Sequence, residues 1–240
     1  MKMIELLACR LGRNDEVPNI ELAEKLCESM DTNGIREISD GLKSGDQATA
    51  NDCIKVLYEI GQRKPELIAG FADDFITALS SRNNRIVWGS MTALAYIAPV
   101  APKALFGRLP EIISAYERGS VITVDNSISV FAQLYKAGRG GGDGRGGSED
   151  RGGSDGSDGG DGVNGGAHEA RIFPLLLEHL AKCRAKEIPQ HAERIAVCID
   201  AGNIQAFTDA LNARLDELSG SQKKRVLKII KTVNEMVYNL

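Results

Sequence analysis

The sequence predicts an all-α fold built as a solenoid of stacked helical hairpins, and three observations predict it. Apolar residues return every 37 positions: Leu57, Leu94 and Phe131; Ile54, Met91 and Ile128; Ile60, Ile97 and Leu134. A fixed period of that size marks a row of supersecondary units rather than one closed core. Apolar periods near 3.6 dominate, while strand signals are almost absent. The register breaks at a Gly-rich run and resumes, after a shift of 67, at Ile195 and Cys198.

Taken in order, an opening hairpin is predicted over Lys2–Leu11 and Pro18–Ser29. Pro18 suits a first helical turn, where its missing N–H is not needed. Five repeats follow: Asn33–Lys43 with Asp46–Gln62, Pro65–Ser80 with Asn83–Ala98, Leu109–Glu117 with Ser120–Lys136, His168–Arg184 with Pro189–Ala201, and Ile204–Ser219 with Ser221–Asn239. Gly, Pro, Ser or Asn stands at the breaks, as helix ends require. First helices carry stripes such as Phe71, Phe75 and Leu79, or Phe173, Leu176, Leu177 and Leu180. Second helices carry Val87, Met91, Leu94 and Ala98, or Val124, Ile128, Phe131 and Tyr135. One hairpin cannot bury both stripes, so neighbours must share a core. The chain divides into repeats over 1–137, a Gly-rich insertion over 138–166, and further repeats of the same solenoid over 167–240. The insertion holds 15 of the 26 glycines and one apolar residue, Val163. It cannot bury enough surface to offset chain entropy, which predicts a disordered tether.

Composition narrows the function classes. The 240 residues are 42% apolar and 26% charged, with a net charge of −4. No segment is basic enough to make a phosphate backbone the default partner. Five cysteines without a CxxC pair predict a reducing, cytoplasmic setting. The N-terminus lacks the apolar run of a signal peptide, and no stretch approaches the roughly 18 apolar residues of a membrane span. No GxSxG, HExxH or P-loop element occurs, so no catalytic residues and no cofactor are expected. His179, Cys183, His191 and Cys198 suggest a metal set, since His179 and Cys183 stand four apart on one helix. Yet Cys183 and Cys198 align with core positions of other repeats and His191 with Val87 and Val124. The expectation is therefore buried small hydrophobes, a helix-start histidine and no metal. Arg139, Arg145 and Arg151 precede glycine pairs, but the surrounding acids outnumber them and no aromatic is interleaved, which argues against RNA. The Gly/Asp run lacks the spaced apolar residues of a calcium-binding roll. Lys224, Lys228 and Lys231 read as the polar outer face of a terminal repeat.

The stretch NNRIVWGSMTALAYIA (Asn83–Ala98) resembles a HEAT repeat of the wider armadillo-like class. Ile86, Ser90, Leu94 and Ile97 fall where that pattern wants an apolar residue, a small one, Leu and an apolar one. LPEIISAYERGSVITVDNSISVFAQL (Leu109–Leu134) is a second match. Val87 and Val124 replace the basic residue that many HEAT repeats carry, so the usual inter-repeat polar ladder is not expected here. RIVWGSM, GSVITVDN and PQHAER also resemble a prokaryotic HEAT-like group, which implies no activity. The resemblance implies a right-handed α-solenoid whose second helices line a concave wall. In that register Asn51, Lys55 and Glu59, then Trp88, Thr92 and Tyr96, then Asp125, Ser129 and Gln133, then Ala192, Ala196 and Asp200 face away from the core. The expected function is a non-catalytic protein-binding scaffold, with Trp88 and Tyr96 as anchors. Asn51, Lys55, Thr92, Asp125, Ser129 and Gln133 supply polar contacts. The alternative is a nucleic-acid-binding HEAT-like protein similar to the alkylpurine DNA glycosylases, against which Glu59, Asp125 and Asp200 on the floor count.

Overall fold

The computed structural model describes residues 2–140 and 165–238. Most of the Gly-rich insertion, 141–164, lies outside the described residues, and so does the disorder expected there; at its ends, where disorder is also expected, 138–140 and 165–166 belong to helices. The described residues form helices and turns with no strand among them. The chain divides into two compact units, Met1–Val130 and Phe131–Leu240.

In the first unit the helices are α1 (Val17–Ser29), α2 (Thr32–Gly41), α3 (Gln47–Arg63), α4 (Ala72–Ala78), α5 (Asn84–Ile97), α6 (Pro102–Phe106), α7 (Leu109–Glu117) and α8 (Val121–Gly140), the last running on into the second unit. They form two rows. α1 packs on α3 and α3 on α5. The Asn126 Nδ2 of α8 donates to Thr92 Oγ1 of α5 over 2.8 Å, which sets α8 next in the row. In the other row, Lys43 and Ser39 at α2 reach Asp74 of α4. Arg118 at the end of α7 donates to the Leu79 carbonyl over 3.1 Å. α2 packs on α3 and α4 on α5, so each hairpin bridges the rows.

The local chemistry repeats with the core. Asp46 Oδ1 accepts from the Ala48 N–H and Asn83 Oδ1 from the Arg85 N–H, capping α3 and α5. These caps stand one 37-residue period apart, as does Ser120 before α8. All nine apolar residues that define the period in the sequence have no exposed surface. Close approach of α3 and α5 depends on Gly89, where a Cβ would lie 2.6 Å from Ile54 Cγ1.

The second unit holds α9 (Gly165–Lys182), α10 (Ile188–Ala196), α11 (Ile204–Asn212) and α12 (Gly220–Tyr238). α9 pairs with α11 and α10 with α12, again two rows of two. Phe207, Leu176, Ile195, Leu211 and Val233 lie in its core with no exposed surface.

α6 falls where the sequence predicts no helix, α11 stops at Asn212 rather than Ser219, and three other elements depart from expectation. Lys2–Leu11 holds a single 3-10 turn, Met3–Leu6, rather than a helix. Side chains capture the amides a helix would use: Asn19 Oδ1 accepts from Ala8 N–H and Asp52 Oδ2 from Cys9 N–H, at 3.0 and 2.7 Å. The segment Pro65–Ser80 begins as two 3-10 turns before α4. α10 stops at Ala196, short of Ala201, because Asn203 closes the turn beyond it: its Nδ2 donates to Cys198 O and its Oδ1 accepts from Asp200 N–H.

Candidate functional site

The α1–α3–α5 row carries a charged and aromatic cluster that no single helix could assemble. Lys55, Glu59 and Arg63 stand four apart on α3 and so share one face. Lys55 Nζ lies 2.8 Å from Glu59 Oε1 and 3.0 Å from Oε2 of Glu16, the residue before α1. Glu59 also accepts from Arg63, which reaches Glu24 of α1 over 2.9 Å. Arg85 of α5 pairs with Glu16. The two cations of α3 and α5 each sit over a ring: Lys55 Nζ is 4.9 Å from the Tyr58 centroid and the Arg85 guanidinium 5.7 Å from that of Trp88. The two rings are 5.7 Å apart, tilted at 44°.

Electrostatics follow from this packing. Burial pushes the Glu59 carboxyl up, but Lys55 and Arg63 outweigh it and hold the group below its ordinary range. Glu16 is likewise pushed up by burial and pulled further down by Arg85 and Lys55. Burial alone would lower Lys55; its bonds to Glu59 and Glu16 leave it raised. Tyr58 is raised, mainly by burial. Both carboxylates are lower in the folded state than unfolded. Their contribution to stability is therefore complete above the ordinary value of 4.5 and is lost as pH falls through the folded value. The thermal midpoint is expected to drop on acidification below pH 4.5 in the native chain, and to drop less in Glu59→Gln; a Tm series against pH measures the difference. An equal fall in both would remove Glu59 from the account.

The expected floor is only partly realised. Trp88 is half-buried on the row, as is Thr92, whose Oγ1 donates to the Trp88 carbonyl over 2.8 Å. Asn51 Oδ1 accepts from Asn83 Nδ2 over 2.7 Å and lines a surface cavity of 250 Å³ with Arg13, Asp15, Glu16, Asp52 and Arg85. Tyr96 is half-buried against Gly61 of α3. Asp125 and Ser129 are half-buried on α8, while Gln133 falls in the second unit. Lys55 is not the open contact point the register suggests: it is 7% exposed and Glu59 9%, because Glu16 and Arg63 close over them. Ala192 of the fourth rung is fully buried rather than turned away from the core. Glu16, Tyr58, Arg63 and Arg85 are absent from the sequence-derived floor. The spacing of Lys55, Glu59 and Arg63 signals the α3 stripe, but nothing in the sequence joins Glu16 to Arg85, 69 residues away.

All five cysteines are free thiols, and burial pushes Cys53 and Cys198 up to about 12. Among the described residues no helix is long and apolar enough to cross a membrane.

No family model and no curated protein matches the sequence. Solved structures do match in fold. A designed armadillo repeat protein in complex with the peptide (KR)4 superposes with a TM-score of 0.61 at 13% identity, covering 89% of this chain and 86% of that one. A computationally designed armadillo repeat protein for modular peptide recognition gives 0.59 at 14%, covering 88% and 85%. An engineered protein gives 0.60 at 16%, covering 98% and 96%. The chain therefore has the all-α, armadillo-like fold of stacked helical hairpins that the HEAT resemblance implies.

Proposed function

We propose that the chain is a non-catalytic binding scaffold that holds a protein partner against the α1–α3–α5 row of its first unit. The observation that carries this reading is the Tyr58–Trp88 pair, two half-buried rings braced from below by Lys55 and Arg85. Rings already fixed in place lose little freedom on binding, and aromatic anchors supply much of the energy at interfaces. Peptide recognition by designed armadillo repeats of the same fold supports an extended segment of the partner as the bound element. Polar contacts come from Asn51 and Thr92 beside the rings, with Tyr96, Asp125 and Ser129 further along the row.

A catalytic role finds no support on this row. Glu16 and Glu59 are both held ionised by their cations, so neither is poised to pass a proton near neutral pH. Nucleic acid is disfavoured for the complementary reason: Lys55, Arg63 and Arg85 are each already paired with a carboxylate. Five free thiols suit a reducing compartment such as the cytoplasm.

Affinity capture from source cells tests the proposal. A Tyr58→Ala, Trp88→Ala double variant whose circular dichroism matches the native chain is expected to bind its partner at least about 30-fold more weakly, as loss of a hot spot of about 2 kcal/mol implies. Capture unchanged in the folded variant refutes the assignment.

A further inference from the structure

Three of the four side chains that the sequence offers as a metal set meet in the second unit. His179 lies on the last turn of α9. Cys183 follows one turn later, its N–H donating to the His179 carbonyl over 2.8 Å, so the two share a face. His191 stands in the first turn of α10. His179 Nε2 and His191 Nδ1 are 2.8 Å apart, with the rings edge-on at a centroid distance of 4.6 Å. The two imidazoles and the Cys183 thiol place their donor atoms within 4.8 Å of one another. His179 is 7% and His191 1% exposed, while Cys183 is half-buried and keeps a path to solvent. Cys198, the fourth residue of the sequence-derived set, is not in the group; it lies in the turn beyond α10 and its thiol donates to Ile195 O of that helix.

We propose that His179, Cys183 and His191 form a binding site for Zn(II), which ties the end of α9 to the start of α10. The donor chemistry fits: two imidazole nitrogens and a thiolate are the ligands a borderline-soft divalent ion takes. The geometry fits as well. Tetrahedral zinc with Zn–N near 2.0–2.1 Å and Zn–S near 2.3 Å sets two nitrogens and a sulfur roughly 3.3–3.6 Å apart. The two imidazole nitrogens start at 2.8 Å and all three donor atoms lie within 4.8 Å, limits on either side of that range, so the ligands need move by no more than about an ångström. Three protein ligands leave the fourth position to water.

The protons balance without a co-reactant. With both rings neutral, the His179–His191 contact is one N–H···N bond in either tautomer assignment, so one ring carries its proton on the atom that would face the metal. On binding, that proton shifts to the other nitrogen of the same ring, and the Cys183 thiol releases its own to solvent, one proton per ion bound. Arg214 lies beside this corner, donating to the carbonyls of Leu180 and Cys183 at 2.7 Å each. It does not add a bare positive charge, because Glu217 receives its Nε at 2.9 Å and its second amino group at 2.5 Å.

The test uses the full chain, stripped with a chelator and titrated with Co(II) as a probe and Zn(II) as competitor. One equivalent of Co(II) is expected to give the visible bands of a tetrahedral site and a near-ultraviolet thiolate-to-metal band, both erased by Zn(II). Cys183→Ser should abolish the thiolate band and weaken Zn(II) at least about 10–100-fold, the range already seen for loss of outer-shell partners. Cys198→Ser should leave both unchanged. Cys183 is half-buried, so its Ser variant is the one to rely on if His191→Asn fails to fold. No bands at one equivalent, bands that survive Cys183→Ser, or bands lost in Cys198→Ser overturn the site.

Discussion

Glu59→Gln is expected to destabilise the first unit by about 3 kcal/mol, at the low end of what breaking a buried ion pair costs. Among the described residues, Glu59 is the one carboxylate that pairs with both Lys55 and Arg63. Lys55 is the critical partner, since it is 7% exposed and cannot recover its lost interaction from water. Glu16 still holds Lys55, and Glu24 still holds Arg63, which keeps the cost from running higher. The double replacement Lys55→Met, Glu59→Leu provides the contrast. It removes both buried charges together and fills the space with apolar atoms, so it should recover most of the loss. Urea unfolding of the native chain, the single and the double variant measures this. A single variant as stable as the native chain would show that the pair is solvated rather than buried.

Leu94→Ala and Phe131→Ala are expected to cost about 2–5 and 3–5 kcal/mol respectively, the usual range for emptying a core site. Both side chains have no exposed surface, and both occupy the 37-residue core position first marked by Leu57. Leu227→Ala on α12, where the side chain is 45% exposed, should stay within about 0.5 kcal/mol. Denaturation midpoints for the three variants decide whether the period marks core positions. Losses below 1 kcal/mol at both repeat positions would mean that the register had been read one face out.

The fold was legible because its signals are local and repeat. The period of Leu57, Leu94 and Phe131 appears in the side chains that lose all exposure, and the helix starts at Asp46, Asn83 and Ser120 keep the same spacing. Where the first predicted helix failed to form, the cause lay in side chains outside it. Ala8 and Cys9 give their amides to Asn19 and Asp52, and no propensity over Lys2–Leu11 reports a side chain 43 residues away.

The candidate site was legible in one half. Trp88 stood out as an aromatic at a position facing away from the core stripe, and the structure keeps it half-buried on the row. Lys55 stood out for the same reason but is enclosed, because Glu16 reaches it from the chain entering α1. Tyr58 escaped notice because it follows Leu57 directly and lies one turn after Ile54, so it reads as an extension of their buried stripe. The histidines show the same division: alignment assigns His191 to the core, which it joins, but says nothing of what it meets there.

Sequence by itself determined the helical hairpin, its 37-residue repeat and the residues that fill the interior, because each depends on periodic burial along the chain. Only the tertiary structure decided which charges close over Lys55 and that His179, Cys183 and His191 converge. Those contacts depend on the distance and rotation between neighbouring helices, which no period along one helix encodes.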